Sequence, residues 1–267
     1  MVSILAIVCA RNEAVHIERC LIDLIASGCD VILIDNGSID ETVSRAEPFI
    51  GRGLLRIEHL PWHGRFSLSD QLRAKKSVIQ SSTHDWIVHA DADEWLVSPT
   101  PGQSLGDAIS TAHGAGYNLV NFHECVFIPK PGEDFAHRHY SAQMKDYYFF
   151  QPKYPRLNRA WRRDAALENT NSGGHILSGA ALRKSPHDLI LRHYIVLSQE
   201  QGYAKYIGRS FSDEDVDRGW HGNRRIITEA NLRLRPHTSM RHLGNPCRHD
   251  CFDLSEPLSN HFWEWPS

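Results

Sequence analysis

Ile4-Leu-Ala-Ile-Val-Cys-Ala-Arg-Asn-Glu13 decides the architecture: seven apolar residues in unbroken succession run into three polar ones. A run of that length without alternation predicts a strand buried on both faces, with its carboxyl end marked by the polar residues. Downstream, Ala14, Ile17, Leu21, Leu24 and Ile25 recur at helical spacing until Gly28. That predicts strand, helix, stop. The pattern repeats: Val31 to Ile34 reads as a second buried strand, Ser38 with Glu41 as a capping box opening a helix towards Phe49, and Leu54 to Leu60 as a third strand. Leu68, Leu72, Lys75, Val78 and Ile79 restore the helical period, and Trp86 to Ala90 gives a fourth strand entering Asp91-Ala-Asp-Glu94. Largely apolar strands alternating with helices predict an α/β fold, its sheet mostly parallel and flanked by helices, over residues 1–97.

In such sheets ligands collect outside the carboxyl ends of the strands. Three polar turns fall there: Arg11-Asn-Glu13, Asp35-Asn-Gly-Ser38 and Asp91-Ala-Asp-Glu94. Beyond Pro99 the punctuation is denser, with Pro129-Lys-Pro-Gly132, Gly173-Gly174 and many histidines around the strand-like pieces Tyr117 to Ile128 and Leu189 to Val196. A mixed, loop-rich second half is expected, and loops over a sheet edge are where a second substrate is selected.

Bulk composition narrows the function. Of 267 residues, 29 are Lys or Arg and 32 Asp or Glu, a formal net charge of −3, which gives no global field for nucleic acid. Six dispersed cysteines do not make the dense framework of a small secreted domain and fit a reducing compartment. No run of about 18 apolar residues is present, so no spanning helix is expected. A cytoplasmic location follows as the expectation, with peripheral contact at the inner face of a membrane compatible.

Asp91 and Asp93 stand at i and i+2 at a strand end, which in extended geometry aims both carboxylates the same way. Mg2+ or Mn2+ prefers oxygen ligands and is commonly shared between one or two carboxylates and substrate phosphates, which suits an open Asp-x-Asp pair. Asp35 ends the second strand, where a carboxylate accepts hydrogen bonds from a base or ribose hydroxyl; Asp-Asn-Gly-Ser is equally a good turn.

Taken in order, Cys9-Ala-Arg-Asn-Glu13, Leu33-Ile-Asp-Asn-Gly-Ser-Ile-Asp-Glu-Thr42 and Asp85-Trp-Ile-Val-His-Ala-Asp-Ala-Asp-Glu-Trp95 resemble family 2 glycosyltransferases of GT-A fold. The resemblance implies a Rossmann-like GT-A domain spanning residues 1–267, residues 1–97 being the nucleotide-sugar half and 98–267 the acceptor half. It implies that the Asp35-Asn36 turn holds the nucleoside, that Ala10, Arg11, Asn12 and Glu13 line the base pocket, and that Asp91, Ala92 and Asp93 take the donor diphosphate through Mn2+ or Mg2+. The donor is then a nucleotide-diphosphate sugar, a UDP-sugar first, and the reaction a metal-assisted, inverting transfer of hexosyl type.

The Asp-Ala-Asp-Glu-Trp ending, with Leu191-Arg-His-Tyr194 and Ser198 to Lys205, also resembles a bacterial subgroup with a His-Tyr, Ser and Lys signature. That match implies His193 as a further metal ligand, a core histidine being the alternative, and Lys205 with Arg209 facing phosphate. Lys75 and Lys76 stand where many relatives have an Arg-Asn pair, with Arg73 two residues earlier; the departure leaves open which cation reaches the diphosphate, Lys75 being the candidate, and a solvated helix face is the reading for at least one of the two. Glu168, His175 and Asp188 are the candidates for the base that deprotonates the acceptor. Cys247-Arg-His-Asp-Cys251 fits no zinc finger spacing and is expected to be a reduced, partly buried pair. Phe262-Trp-Glu-Trp265 is expected to dock the C-terminal end. The acceptor is a glycan, a lipid-linked or a small-molecule hydroxyl, and a homo-oligomer is compatible. Rivals are a sugar nucleotidyltransferase and a nucleotide-sugar binder without transfer. The first is disfavoured because the turn after the first strand has no glycine to wrap a triphosphate.

Overall fold

A computed structural model describes residues 2–137, 139–165 and 167–266. The first half alternates β1 (Ile4–Ala10), α1 (Ile17–Ala26), β2 (Asp30–Asp35), α2 (Thr42–Ala46), β3 (Leu54–His59), α3 (Leu68–Ser81) and β4 (Trp86–Ala90). The second contains β5 (Glu94–Val97), α4 (Leu105–Gly114), β6 (Leu119–Phe127), α5 (Tyr140–Gln143), β7 (Asp146–Phe150), β8 (Leu157–Arg162), β9 (Leu189–His193), α6 (Gln199–Tyr206), α7 (Asp213–Asp217), α8 (Gly222–Arg225) and β10 (Arg241–His242). β3, β2, β1 and β4 pair in parallel in that spatial order. Antiparallel β8, β6 and β7 extend the sheet, while β9 runs parallel to β6 and antiparallel to β5. The parallel half and the mixed half both match the reading of the periodicity.

The unbroken apolar character of β1 has its reason in two cores. Ile4, Ala6, Val8 and Ala10 pack with Ile17, Cys20, Leu21 and Leu24 of α1 and with Leu105 and Ile109 of α4. Leu5, Ile7 and Cys9 turn to the other face, where Val78 of α3 packs. Each fully buried Leu, Ile or Val contributes roughly 1.5–3 kcal/mol, so a strand covered on both faces anchors the domain. The C-terminal aromatics dock as expected: Phe262 and Trp263 are buried against Tyr148 and Phe150 of β7 and Tyr206 of α6.

Two details of the first half differ from expectation. Helix α2 starts at Thr42, and its amide is capped by Asp40 Oδ1 at 2.9 Å rather than by Ser38. Ser38 is drawn away because its Oγ accepts the Asn12 N–H at 3.0 Å, tying the β1 turn to the β2 turn.

Candidate active site

Three turns meet at one rim because β1 lies between β2 and β4. The register sets Ala10 beside Asp35 and Val8 beside Ala90, so Asp91 begins where β1 ends. The chain turns sharply after β4: Asp91 N–H donates to Glu94 Oε2 at 3.1 Å, and Glu94 N–H donates to the Asp91 carbonyl at 3.0 Å. Arg19 of α1 clamps this turn through the carbonyls of Ala92 (3.1 Å) and Glu94 (2.8 Å). The extended geometry expected for Asp91 and Asp93 is therefore corrected to a turn, and the two carboxylates face different partners.

Asp93 Oδ2 lies 2.7 Å from Lys205 Nζ and 3.4 Å from His193 Nε2. Asp91 lies 3.7 Å from Lys75 Nζ and 3.2 Å from Arg159 Nη2. Arg159 also pairs with Glu94, and Arg156 with Glu124. All of these line one cavity of about 470 Å3. Burial would raise the Asp93 carboxyl, but Lys205 and His193 outweigh it and hold Asp93 well below the ordinary range. Burial alone would lower His193; Asp93 and Glu124 prevail and raise it well above its ordinary value. Glu13 and Glu94 are pushed up to about 7 by burial, against the opposing charges of Lys205 and Arg159.

Asp93 is only 7% exposed, so the rim that carries it is buried at this point. Among the described residues no group of three or more His, Cys, Asp or Glu side chains is placed to hold a metal ion. The chemistry of the donors nonetheless fits an oxygen-preferring cation completed by a substrate. His193 Nδ1 is engaged by Glu124 Oε1 at 2.6 Å, which leaves Nε2 directed at Asp93. A carboxylate on the far nitrogen is the usual way a ligating imidazole is oriented.

The sequence candidates separate cleanly. Ala10, Arg11, Glu13, Lys75, Asp91, Ala92, Asp93, His175, His193 and Lys205 share the cleft. Asp35 is buried beside it, its carboxylate accepting the Gly37 N–H at 3.1 Å and the Ser38 N–H at 3.2 Å. Asn36 Nδ2 donates to the carbonyls of Leu60 and Pro61, and Asn12, at φ 56°, accepts the Ile39 N–H at 2.9 Å. These three hold the turns together and do not line the cleft. Gly37 also permits a close approach: a Cβ there would stand 2.9 Å from Trp62 Cβ. Over Trp62 the Arg11 guanidinium stacks at 3.9 Å while donating to the Gly37 carbonyl.

The two lysines differ: Lys75 is 5% exposed and faces Asp91, whereas Lys76 is half exposed and pairs with Glu168 at 2.6 Å. Burial would raise Glu168, yet Lys76 and the Thr170 N–H hold it down to about 2. Glu168 thus stands outside the cleft. Asp188 sits in a separate cavity of about 510 Å3, held by Lys184 at 2.9 Å and Asn121 at 3.0 Å. Of the three base candidates His175 alone lines the cleft; burial lowers it well below its ordinary value, and its Nδ1 has no hydrogen-bond partner. Cys247 and Cys251 are free and exposed, which corrects the expected partial burial, because the chain around them runs over the surface.

A profile of the family described as Glycosyl transferase family 2 matches residues 5–188, more than half of the chain. The chain belongs to glycosyl transferase family 2. Its sheet and flanking helices are the α/β architecture expected of that family. No match is found among curated protein sequences. Among solved structures it is similar to S. aureus TarS, with 10% identity and a TM-score of 0.43, over 80% of this chain and 41% of that one. It is also similar to glucosyl-3-phosphoglycerate synthase from Mycobacterium tuberculosis in complex with Mn2+, UDP and glucosyl-3-phosphoglycerate: 22% identity, TM-score 0.31, over 46% of this chain and 44% of that one. The chain therefore spans under half the length of either protein. No helix among the described residues is long and apolar enough to cross a membrane.

Sequence reasoning missed Glu124, Arg156 and Arg159. Each interrupts or flanks an apolar strand segment, Phe122-His-Glu-Cys-Val126 and Arg156-Leu-Asn-Arg-Ala160. A charge inside a buried strand needs a partner, and that was the available signal.

Proposed function

We propose that this family-2 glycosyltransferase uses a nucleotide-diphosphate sugar, UDP-sugar first, and transfers the sugar to an acceptor hydroxyl with inversion. The observation that carries the reading is one cleft at the carboxyl ends of parallel strands in which Asp91 and Asp93 face Lys75, Lys205 and His193. The nucleoside lies towards the Arg11 and Asp35 turns, and the diphosphate towards Lys75 and Lys205. Mn2+ or Mg2+ on Asp91, Asp93 and His193 would neutralise the departing diphosphate.

The protein's own groups supply the remaining work. Lysine ammoniums preorganised by Asp91 and Asp93 stabilise charge that develops on the leaving group without reorganising at the moment of reaction. His175, kept neutral by burial, is proposed to take the proton of the attacking hydroxyl. The test is a thermal-shift panel of nucleoside diphosphates with and without Mn2+. UDP with Mn2+ is expected to raise Tm most, since a ligand of the folded state at about 100 times its Kd adds about 2.7 kcal/mol. If no nucleoside diphosphate shifts Tm under any condition, the reading is lost.

A further inference from the structure

Behind the wall of the cleft a line of buried polar contacts runs from the first turn to the acidic turn. Arg19 of α1 uses all three guanidinium nitrogens: Nη2 donates to the carbonyls of Ala92 (3.1 Å) and Glu94 (2.8 Å), Nη1 to Asp23 Oδ2 at 2.8 Å, and Nε to the hydroxyl of Tyr140 at 2.6 Å. The Tyr140 hydroxyl lies 2.8 Å from His16 Nδ1, and His16 Nε2 lies 3.8 Å from Glu13 Oε2. Glu13, Asp91 and Asp93 line the cleft, whereas Arg19, Tyr140 and His16 stand behind it.

Chemistry fixes the direction of these bonds. A guanidinium only donates, so the Tyr140 oxygen accepts from Arg19 and sends its own proton to His16 Nδ1. His16, kept neutral by burial, accepts there and carries its proton on Nε2, towards Glu13. Tyr140 is 0% exposed, and among the described residues neither Arg19 Nε nor His16 Nδ1 has another hydrogen-bond partner. Its ring packs edge-on against His16 and Tyr194, each at 4.9 Å between centroids, contacts that a phenylalanine keeps. The hydroxyl is thus the atom that joins α5 of the second half to Arg19, and through Arg19 to the turn after β4.

We propose that Tyr140 is a positioning residue for transfer: its hydroxyl holds the Arg19 guanidinium against the Ala92 and Glu94 carbonyls, and so holds Asp91 and Asp93 in place for the donor. This rests on the reading of that turn as the diphosphate side of the cleft. Groups that orient a site from behind commonly matter about 10–100-fold in affinity or rate, because the reacting geometry tolerates little displacement.

Tyr140→Phe removes one oxygen and keeps the ring. Amide hydrogen exchange at Asp91 and Glu94 is expected to quicken about tenfold or more, the size of one lost charged hydrogen bond. Affinity for UDP in the presence of Mn2+, read by calorimetry, is expected to fall about tenfold. Tyr147→Phe is the control: Tyr147 is buried in the same apolar cluster, and its hydroxyl accepts the Asp253 N–H at 2.7 Å instead of serving the turn. It should lower Tm and leave both readings within about twofold. Arg19→Lys cannot bridge Tyr140 and both carbonyls at once, so it should match or exceed Tyr140→Phe, and it decides if that protein does not fold. Wild-type exchange rates in folded Tyr140→Phe overturn the proposal. So does an equal quickening in Tyr147→Phe, which marks general loosening, and so does faster exchange with undiminished UDP affinity. If the wild type binds no UDP with or without Mn2+, the donor reading falls by itself, and the exchange rates still decide whether Tyr140 holds the turn.

Discussion

Residues 4–97 and the chain beyond them make opposite contributions to the cleft. The first half is built from consecutive strand and helix units and supplies Glu13, Asp91, Asp93 and Glu94. The second half is built from strands paired across long separations and supplies Arg156, Arg159, His193, Lys205, Arg209 and Arg224. Lys75 and Arg11 cross this division in one direction, Glu124 and Glu264 in the other. The difference teaches that the cleft sets carboxylates of one half against cations of the other, so that removing a paired group on either side leaves its partner uncompensated.

The largest effect on activity should come from the acidic side. Asp93→Asn is expected to lower release of nucleoside diphosphate from the donor by roughly 10²–10³-fold, the usual size for loss of one preorganised electrostatic group. An unchanged rate in folded protein would break the comparison at its centre.

The largest effect on stability should come from the basic side. Arg159 and Glu94 have side chains 7% and 3% exposed, and Arg159→Met strands Glu94 and leaves Asp91 with Lys75 alone. Denaturation in urea should show a loss of about 3–5 kcal/mol. Adding Glu94→Gln should restore part of it; a simple sum of the two single losses would mean that the halves are not coupled here.

Acid sharpens the comparison because neutral imidazoles are buried in both halves. Burial lowers His16, His89, His175 and His261 well below their ordinary value. In the unfolded chain they take protons near pH 6.5, so between that pH and their folded values the unfolded state binds more protons. Their contribution is complete above about pH 6.5 and is lost as the pH falls below it. His193, raised in the fold, contributes in the opposite sense, with stability present below pH 6.5 and lost only as the pH rises through its folded value. His221 and His249, lowered to about 4, act in the same sense as the four. Glu13 and Glu94, raised to about 7, oppose them because the fold holds their protons over this range. Six lowered imidazoles against two raised carboxyls and His193 predict that Tm falls from pH 6.5 to pH 5, and a Tm constant over that range would contradict the assignment.

The smallest effect is expected one residue from the cleft. Lys76→Ala removes an exposed pair with Glu168 and should cost about 0–1 kcal/mol, with transfer rates unchanged. A large loss of activity would mean that Glu168 reaches the reacting groups after all.

Much of the molecule was legible in order along the chain. The apolar runs at residues 4–10, 31–34 and 86–90 became β1, β2 and β4, because a strand covered on both faces must be apolar at every position. The Asp91-Ala-Asp-Glu94 turn was placed correctly at the rim for the same reason. Its conformation was not, since Arg19 and the Glu94 carboxylate bend it through contacts that no local pattern encodes. What the sequence determined by itself is the parallel half and the position of its acidic turns, both consequences of short-range periodicity. Only the tertiary structure decided which cation answers which carboxylate, that Lys75 turns inward while Lys76 does not, and that His175 lines the cleft while Glu168 and Asp188 do not. Charge pairing depends on distances across the sheet, and strands such as β4 and β8, separated by some seventy residues, set those distances only once they are side by side.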